Sequence, residues 1–228
     1  MGSNYTKSIK MQHMIRHFTL AIVAIALCCG FTSCQTDDST YALIHTEYGD
    51  MKVMLYNSTP KHRDNFIKLV NEGYYDSLLF HRVINGFMIQ GGDPDSRKAT
   101  PGQQLGMGGP EYKIDPEIGA PHLRGALAAA RDNNPLKQSS GSQFYIVQGQ
   151  IINDDYLNTI EQQKGIKYSP EQRKFYKEEG GAPFLDNDYT VFGEVVEGFE
   201  TINKITSQPT DSNDRPKQDV RMTIKILK

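Results

Sequence analysis

Between residues 51 and 56, Met51, Val53 and Leu55 alternate with Lys52, Met54 and Tyr56, and residues 41–48 just ahead are rich in β-formers. Successive side chains of a strand point to opposite faces, so the two runs predict a hairpin turning at Gly49-Asp50. The same period of two returns at the end of the chain. There Val220, Met222, Ile224 and Ile226 alternate with Arg221, Thr223 and Lys225, which predicts a half-buried strand. Elsewhere the spacing is helical. Thr59 suits an N-cap, Pro60 the first helical position, Phe66, Leu69 and Val70 one apolar face, and Gly73 a stop. A shorter helix follows Gly198, with Phe199, Ile202 and Ile205 along it. Many short strands with two helices predict a mainly β fold, a barrel whose ends the helices cap.

Residues 149–183 depart from this pattern. The segments 154–164 and 170–179 are helical in character; Ser169 and Gln172 form a capping box for the second, and Gly180 ends it. Outside Tyr156, Leu157 and Ile160 the stretch is polar, so it is expected to be a helical insertion packed on the barrel, with a partner-binding role left open.

The chain has 228 residues, enough for one well-cored domain. A formal net charge of -2 with 23% charged residues gives no field to gather nucleic acid, and no nucleic-acid partner is expected. The N-terminal region reads as an address. Lys7, Lys10 and Arg16 precede an apolar run of about 14 residues from Phe18 to Phe31, followed by small and polar residues, the three-part plan of a signal peptide over 1–33. That run is shorter than the ~20 residues that span a bilayer. All three cysteines fall here, as Cys28, Cys29 and Cys34, so the body must be stable without an internal disulfide. Phe31-Thr32-Ser33-Cys34 resembles a bacterial lipobox, which makes Cys34 the expected lipidation site, residues 34–40 a tether, and the cell envelope the location, facing periplasm or surface. An ordinary signal peptide with an incidental cysteine is the alternative.

The most distinctive run is Phe80-His81-Arg82-Val83-Ile84-Asn85-Gly86-Phe87-Met88-Ile89-Gln90-Gly91-Gly92-Asp93. With Gly125-Ala126-Leu127-Ala128-Ala129-Ala130-Arg131, Gly141-Ser142-Gln143-Phe144-Tyr145-Ile146 and residues 184–193, it resembles the cyclophilins over residues 41–228. The resemblance implies a closed antiparallel eight-stranded β-barrel capped by two helices and a peptidyl-prolyl cis/trans isomerase that works as a monomer on proline-containing polypeptides. It implies no metal and no cofactor. It makes Arg82 catalytic, places Phe87, Met88, Tyr145 and Leu185 around the proline ring, and gives Gln90 and Gln143 the substrate backbone. Ala130 and Arg131 line a neighbouring groove, and His81, Phe184 and Tyr189 complete the substrate-binding set. Phe184 stands where tryptophan is common, Tyr145 where phenylalanine is, Arg131 for an asparagine and Tyr189 for a histidine; binding of cyclosporin is therefore not carried over.

The residues support that chemistry on their own. A prolyl amide must lose resonance to rotate, over a barrier of ~18–20 kcal/mol, and a guanidinium can donate to the nitrogen lone pair that twisting restores. Simpler roles compete for each side chain. Arg82 could be a surface ion-pair partner, His81 structural, and Gln90 and Gln143 partners of buried backbone groups. Phe87 and Met88, adjacent on a strand, could not share a face. No His-Glu-x-x-His, phosphate-loop or Gly-x-Ser-x-Gly pattern occurs, and Gly106-Met107-Gly108-Gly109 lacks dinucleotide spacing. A non-catalytic proline-peptide binding or scaffold module is the rival from another class.

Overall fold

The computed structural model describes residues 39–227. The expected signal peptide, the Cys34 lipobox and the tether up to residue 38 lie outside them. The strands are β1 (Thr40–Thr46), β2 (Gly49–Leu55), β3 (Phe80–Ile84), β4 (Met88–Gly91), β5 (Lys113–Ile114), β6 (Ala126–Ala129), β7 (Ser139–Ser140), β8 (Phe144–Val147), β9 (Val191–Glu197) and β10 (Met222–Leu227). The helices are α1 (Pro60–Asn71), α2 (Asp154–Lys164), α3 (Pro170–Glu178) and α4 (Phe199–Thr206).

Eight strands form one antiparallel sheet in the order β10-β1-β2-β9-β6-β8-β4-β3, and β5 pairs with β7 apart from it. The sheet curls into a half-barrel. Its edges, β10 and β3, share no ladder and meet through one antiparallel bridge, Leu79 with Arg221, reinforced by Phe80 N–H donating to Val220 O at 2.9 Å. The period of two sorts the side chains. Val83, Ile89, Ile146 and Leu127 are register partners across β3, β4, β8 and β6 and all enter the main core, where Phe66, Leu69 and Val70 of α1 and Ile202 and Ile205 of α4 cover them. Their neighbours Arg82, Gln90, Tyr145 and Ala128 make a second row on the opposite face.

Two local expectations shift. The first hairpin turns at Glu47-Tyr48, because the Thr46 hydroxyl donates to Gly49 O and accepts Tyr48 N–H, leaving Gly49 and Asp50 paired inside β2. Thr59 occupies the N-cap of α1 without capping it. Glu117, from a distant loop, accepts the N–H groups of Lys61 at 3.1 Å and His62 at 3.0 Å instead, placing a carboxylate on the positive end of the helix.

In the 149–183 stretch the capping box of Ser169 and Gln172 closes α3, and Asn153 caps α2. Leu157, Ile160, Tyr168 and Tyr176 form a small core of their own. No helix among the described residues is long and apolar enough to cross a membrane.

Candidate active site

The row Arg82–Gln90–Tyr145 crosses an open cleft of about 430 Å³, a size suited to part of a peptide. Its apolar wall is Phe87, Met88, Ala130, Tyr145, Leu185 and Tyr189. Phe87 and Met88 both reach it because Phe87 is not on the strand. It ends the turn before β4, its N–H donating to Ile84 O at 3.0 Å, which frees its side chain from the strand's alternation.

Arg82 is half-exposed at the cleft edge. Its Nη1 lies 3.5 Å from Gln90 Oε1 and its Nε 3.5 Å from Asp214 Oδ2. Gln90 Nε2 donates to Gln143 Oε1 at 3.1 Å, and Gln143 Nε2 donates to the carbonyls of Gly106 at 3.0 Å and Gly108 at 2.7 Å. A polar chain therefore runs from the guanidinium to the loop that forms the far rim.

Of the expected residues, the cleft gathers His81, Arg82, Phe87, Met88, Gln90, Ala130, Arg131, Tyr145, Leu185 and Tyr189. Gln143 lies behind Gln90, satisfying loop carbonyls, and lines a second groove of about 430 Å³ that shares Gln90, Gly106, Ala130 and Arg131 with the first. Phe184 does not line the cleft; it is exposed, with its ring 5.3 Å from that of Phe87. Arg131 stacks on Tyr189, its guanidinium carbon 4.7 Å from the ring centre, and its Nε donates to Asp188 O.

His81 is 4% exposed, and neither ring nitrogen has a well-formed hydrogen-bond partner among the described residues. Burial pushes its pKa down to about 4, opposed in part by Asp93, so the ring is neutral at ordinary pH. Tyr145 is likewise buried, and its hydroxyl is pushed well above its usual range by desolvation, so it stays protonated.

Two groups at the mouth carried no signal in the sequence: the loop residues Gln103–Leu105, and Asn213, Asp214 and Arg215. Arg215 ties them together. Buried at 5% exposure, it donates to Thr100 O at 2.9 Å and Gln103 O at 3.1 Å and pairs with Asp219 at 2.9 Å.

No serine, threonine or cysteine lines the cleft among the described residues. A half-barrel sheet thus carries a guanidinium beside an apolar cleft large enough for part of a peptide. The family model of the cyclophilin type peptidyl-prolyl cis-trans isomerase matches residues 41–225. A Staphylococcus haemolyticus protein, named as an inferred peptidyl-prolyl cis-trans isomerase, is 36% identical over 190 residues, covering 81% of this chain and 89% of its own length. A Staphylococcus aureus protein of the same name is 36% identical over 184 residues, covering 78% and 86%. The crystal structure of a cyclophilin type peptidyl-prolyl cis-trans isomerase from Cryptosporidium parvum matches with a TM-score of 0.59 at 30% identity, over 83% of this chain and 98% of that one. A structure of that isomerase in the presence of the dipeptide Ala-Pro matches with a TM-score of 0.58, over 82% and 99%. The chain belongs to the cyclophilin-type peptidyl-prolyl cis-trans isomerases.

Proposed function

We propose that Arg82 is the catalytic residue of this isomerase and that Phe87, Met88, Tyr145 and Leu185 seat the proline ring. The observation that carries this reading is the register row of Arg82, Gln90 and Tyr145, which puts the guanidinium and the apolar seat on one face of adjacent strands. In the planar amide the nitrogen lone pair is delocalised and accepts no hydrogen bond; in the twisted state it can accept one from Arg82. A charged hydrogen bond contributes roughly 1.5–3 kcal/mol, whereas a 10⁵-fold acceleration needs about 7 kcal/mol. The rest is assigned to the cleft: the twisted amide has lost its charge-separated resonance and resists leaving water less than the planar one. Gln90 exchanges its partners for the peptide backbone, and Gln143 acts by holding the Gly106–Gly108 rim.

Cis-to-trans exchange of a short Xaa-Pro peptide, followed by NMR with the wild-type chain and Arg82→Ala, tests the reading. Acceleration by the wild type that falls by about 100-fold in the variant is expected. No acceleration by the wild type would leave a binding module that holds proline without turning it, and equal acceleration by the variant would remove Arg82 from the chemistry.

The site is complete within one chain, which supports action as a monomer. The Leu79–Arg221 bridge supports reading the half-barrel as closed along its β3–β10 seam. The basic and apolar leader with Phe31-Thr32-Ser33-Cys34 supports a lipid anchor on Cys34. On that reading the enzyme assists the folding of envelope or secreted proteins from the membrane surface.

A further inference from the structure

Tyr145 lines the cleft, yet its hydroxyl is engaged from behind by a histidine that solvent does not reach. His122 is 0% exposed, with Nε2 3.0 Å from the Tyr145 hydroxyl and Nδ1 2.8 Å from Asp186 Oδ1. A carboxylate only accepts, so in the neutral imidazole the proton sits on Nδ1, Nε2 is the acceptor, and Tyr145 O–H donates to it. The two rings lie parallel, 6.0 Å apart at 12°.

Asp186 is 3% exposed and four donors converge on it. Oδ1 also accepts the His122 backbone N–H at 2.7 Å. Oδ2 accepts the hydroxyl of Tyr168 at 2.7 Å and that of Tyr176 at 2.6 Å. Tyr168 precedes α3 and Tyr176 lies on it, so half of the carboxylate's support comes from the 149–183 stretch. Asp186 directly follows Leu185, whose side chain lines the cleft. A buried hydrogen-bond chain therefore runs from the helical insertion to the floor and one wall of the proline seat. Its polarity matters as well as its packing. If Asp186 loses its anchoring donors and swings away, His122 can adopt the other tautomer, and Nε2–H then confronts the Tyr145 hydroxyl as a donor.

We propose that Tyr168 and Tyr176 are positioning residues of the isomerase: acting through Asp186 and His122, they fix the Tyr145 ring and the Leu185 wall against which the proline seats. This gives the insertion a role in turnover, and it rests on the isomerase reading of the cleft. Burial raises the pKa of both hydroxyls far above the usual tyrosine range, so they remain donors at any working pH.

The test uses the full chain carrying Tyr168→Phe and Tyr176→Phe together, which removes two oxygens and no packing volume. Leu157→Val, in the same small core but outside the hydrogen-bond chain, is the control for mere loss of stability. Turnover of an Xaa-Pro peptide is measured well below each melting temperature, alongside the ¹⁵N shifts of the His122 ring. The double variant should lose about 10-fold in kcat/KM, mainly through a raised KM, because the seat is misplaced. The wild-type shifts should show a protonated Nδ1 and a bare Nε2, and the variant a mixture. Leu157→Val should melt earlier with unchanged kcat/KM. An unchanged double variant, an equal loss in Leu157→Val, or a wild-type proton on Nε2 would each overturn the role. Should the double variant fail to fold, the wild-type tautomer and the two single variants decide in the same way. An inactive wild type would overturn the isomerase reading itself, whereas an active chain indifferent to both hydroxyls overturns only the positioning role.

Discussion

Arg82 and Gln90 are direct partners in the β3–β4 ladder, and Arg82 Nη1 stands 3.5 Å from Gln90 Oε1. Asp214 flanks the guanidinium on its other side, also at 3.5 Å. Both contacts are at the long limit of a hydrogen bond or ion pair, so they aim the guanidinium without consuming it. A short bidentate pair would hold it away from a substrate nitrogen.

That arrangement needs a fork, which a lysine lacks. Arg82→Lys keeps the charge but cannot address Gln90, Asp214 and a peptide at once. Its kcat/KM should fall about 10- to 100-fold, the equivalent of one charged hydrogen bond of roughly 1.5–3 kcal/mol. A loss below twofold in the exchange assay would show that charge alone suffices.

Gln143→Glu is nearly isosteric, but it sets an oxygen against the Gly106 and Gly108 carbonyls, now 3.0 and 2.7 Å from the amide nitrogen. Two donated bonds become two repulsions, and the rim loop loses its tie. KM should rise several-fold, on the order of 1–2 kcal/mol of binding, with kcat less affected. Steady-state kinetics on a set of Xaa-Pro peptides separates the two constants.

His81 makes stability fall on acidification. Its folded pKa of about 4 is below the ordinary 6.5, so as pH drops the unfolded chain takes up the proton first. The contribution is whole above pH 6.5, declines between 6.5 and 4, and is lost below, a total of about 3 kcal/mol at most. His81→Phe removes that titration. Urea unfolding at several pH values should show the gap between wild type and variant moving in favour of the variant across this window and staying level above pH 7.

Cys34→Ser should move the protein from the membrane pellet to the soluble fraction and abolish labelling by a radioactive fatty acid in a bacterial host. Lipidated protein gains about 0.8 kcal/mol per buried methylene, so the partition should be nearly complete in each direction. Labelling that survives the substitution would assign the anchor elsewhere.

Alternation made β1, β2 and β10 readable, and the Phe80–Asp93 run brought Arg82, Gln90, Phe87 and Met88 with it, while the three later blocks brought Ala130, Tyr145, Leu185 and Tyr189. The failures share a cause. The cap of α1 comes from Glu117, 55 residues from His62, and no local pattern reports such a contact. Asp214 and Arg215 sit in irregular chain between α4 and β10, where no periodicity marks an inward-facing side chain. The Tyr145–His122–Asp186 chain joins three separate segments, so His122 carried no signal although its ring is wholly buried. Phe87 escaped the strand rule because it belongs to a turn, and Phe184 is exposed beside it.

The eight-stranded sheet distributes stiffness unevenly. β8, which bears Tyr145, is laddered on both sides by β4 and β6, whereas β3, which bears Arg82, has one full neighbour. Its other flank is pinned by the Leu79 bridge and by Val83 N–H donating to Asp214 O at 2.8 Å. The Arg82 cation is thus mounted on the singly laddered strand and the Tyr145 part of the cleft wall on the doubly laddered one. Strain reaching the seam should therefore part these two strands before it disturbs the packed interior, with amide hydrogens of β3 expected to exchange with solvent ahead of those of β8.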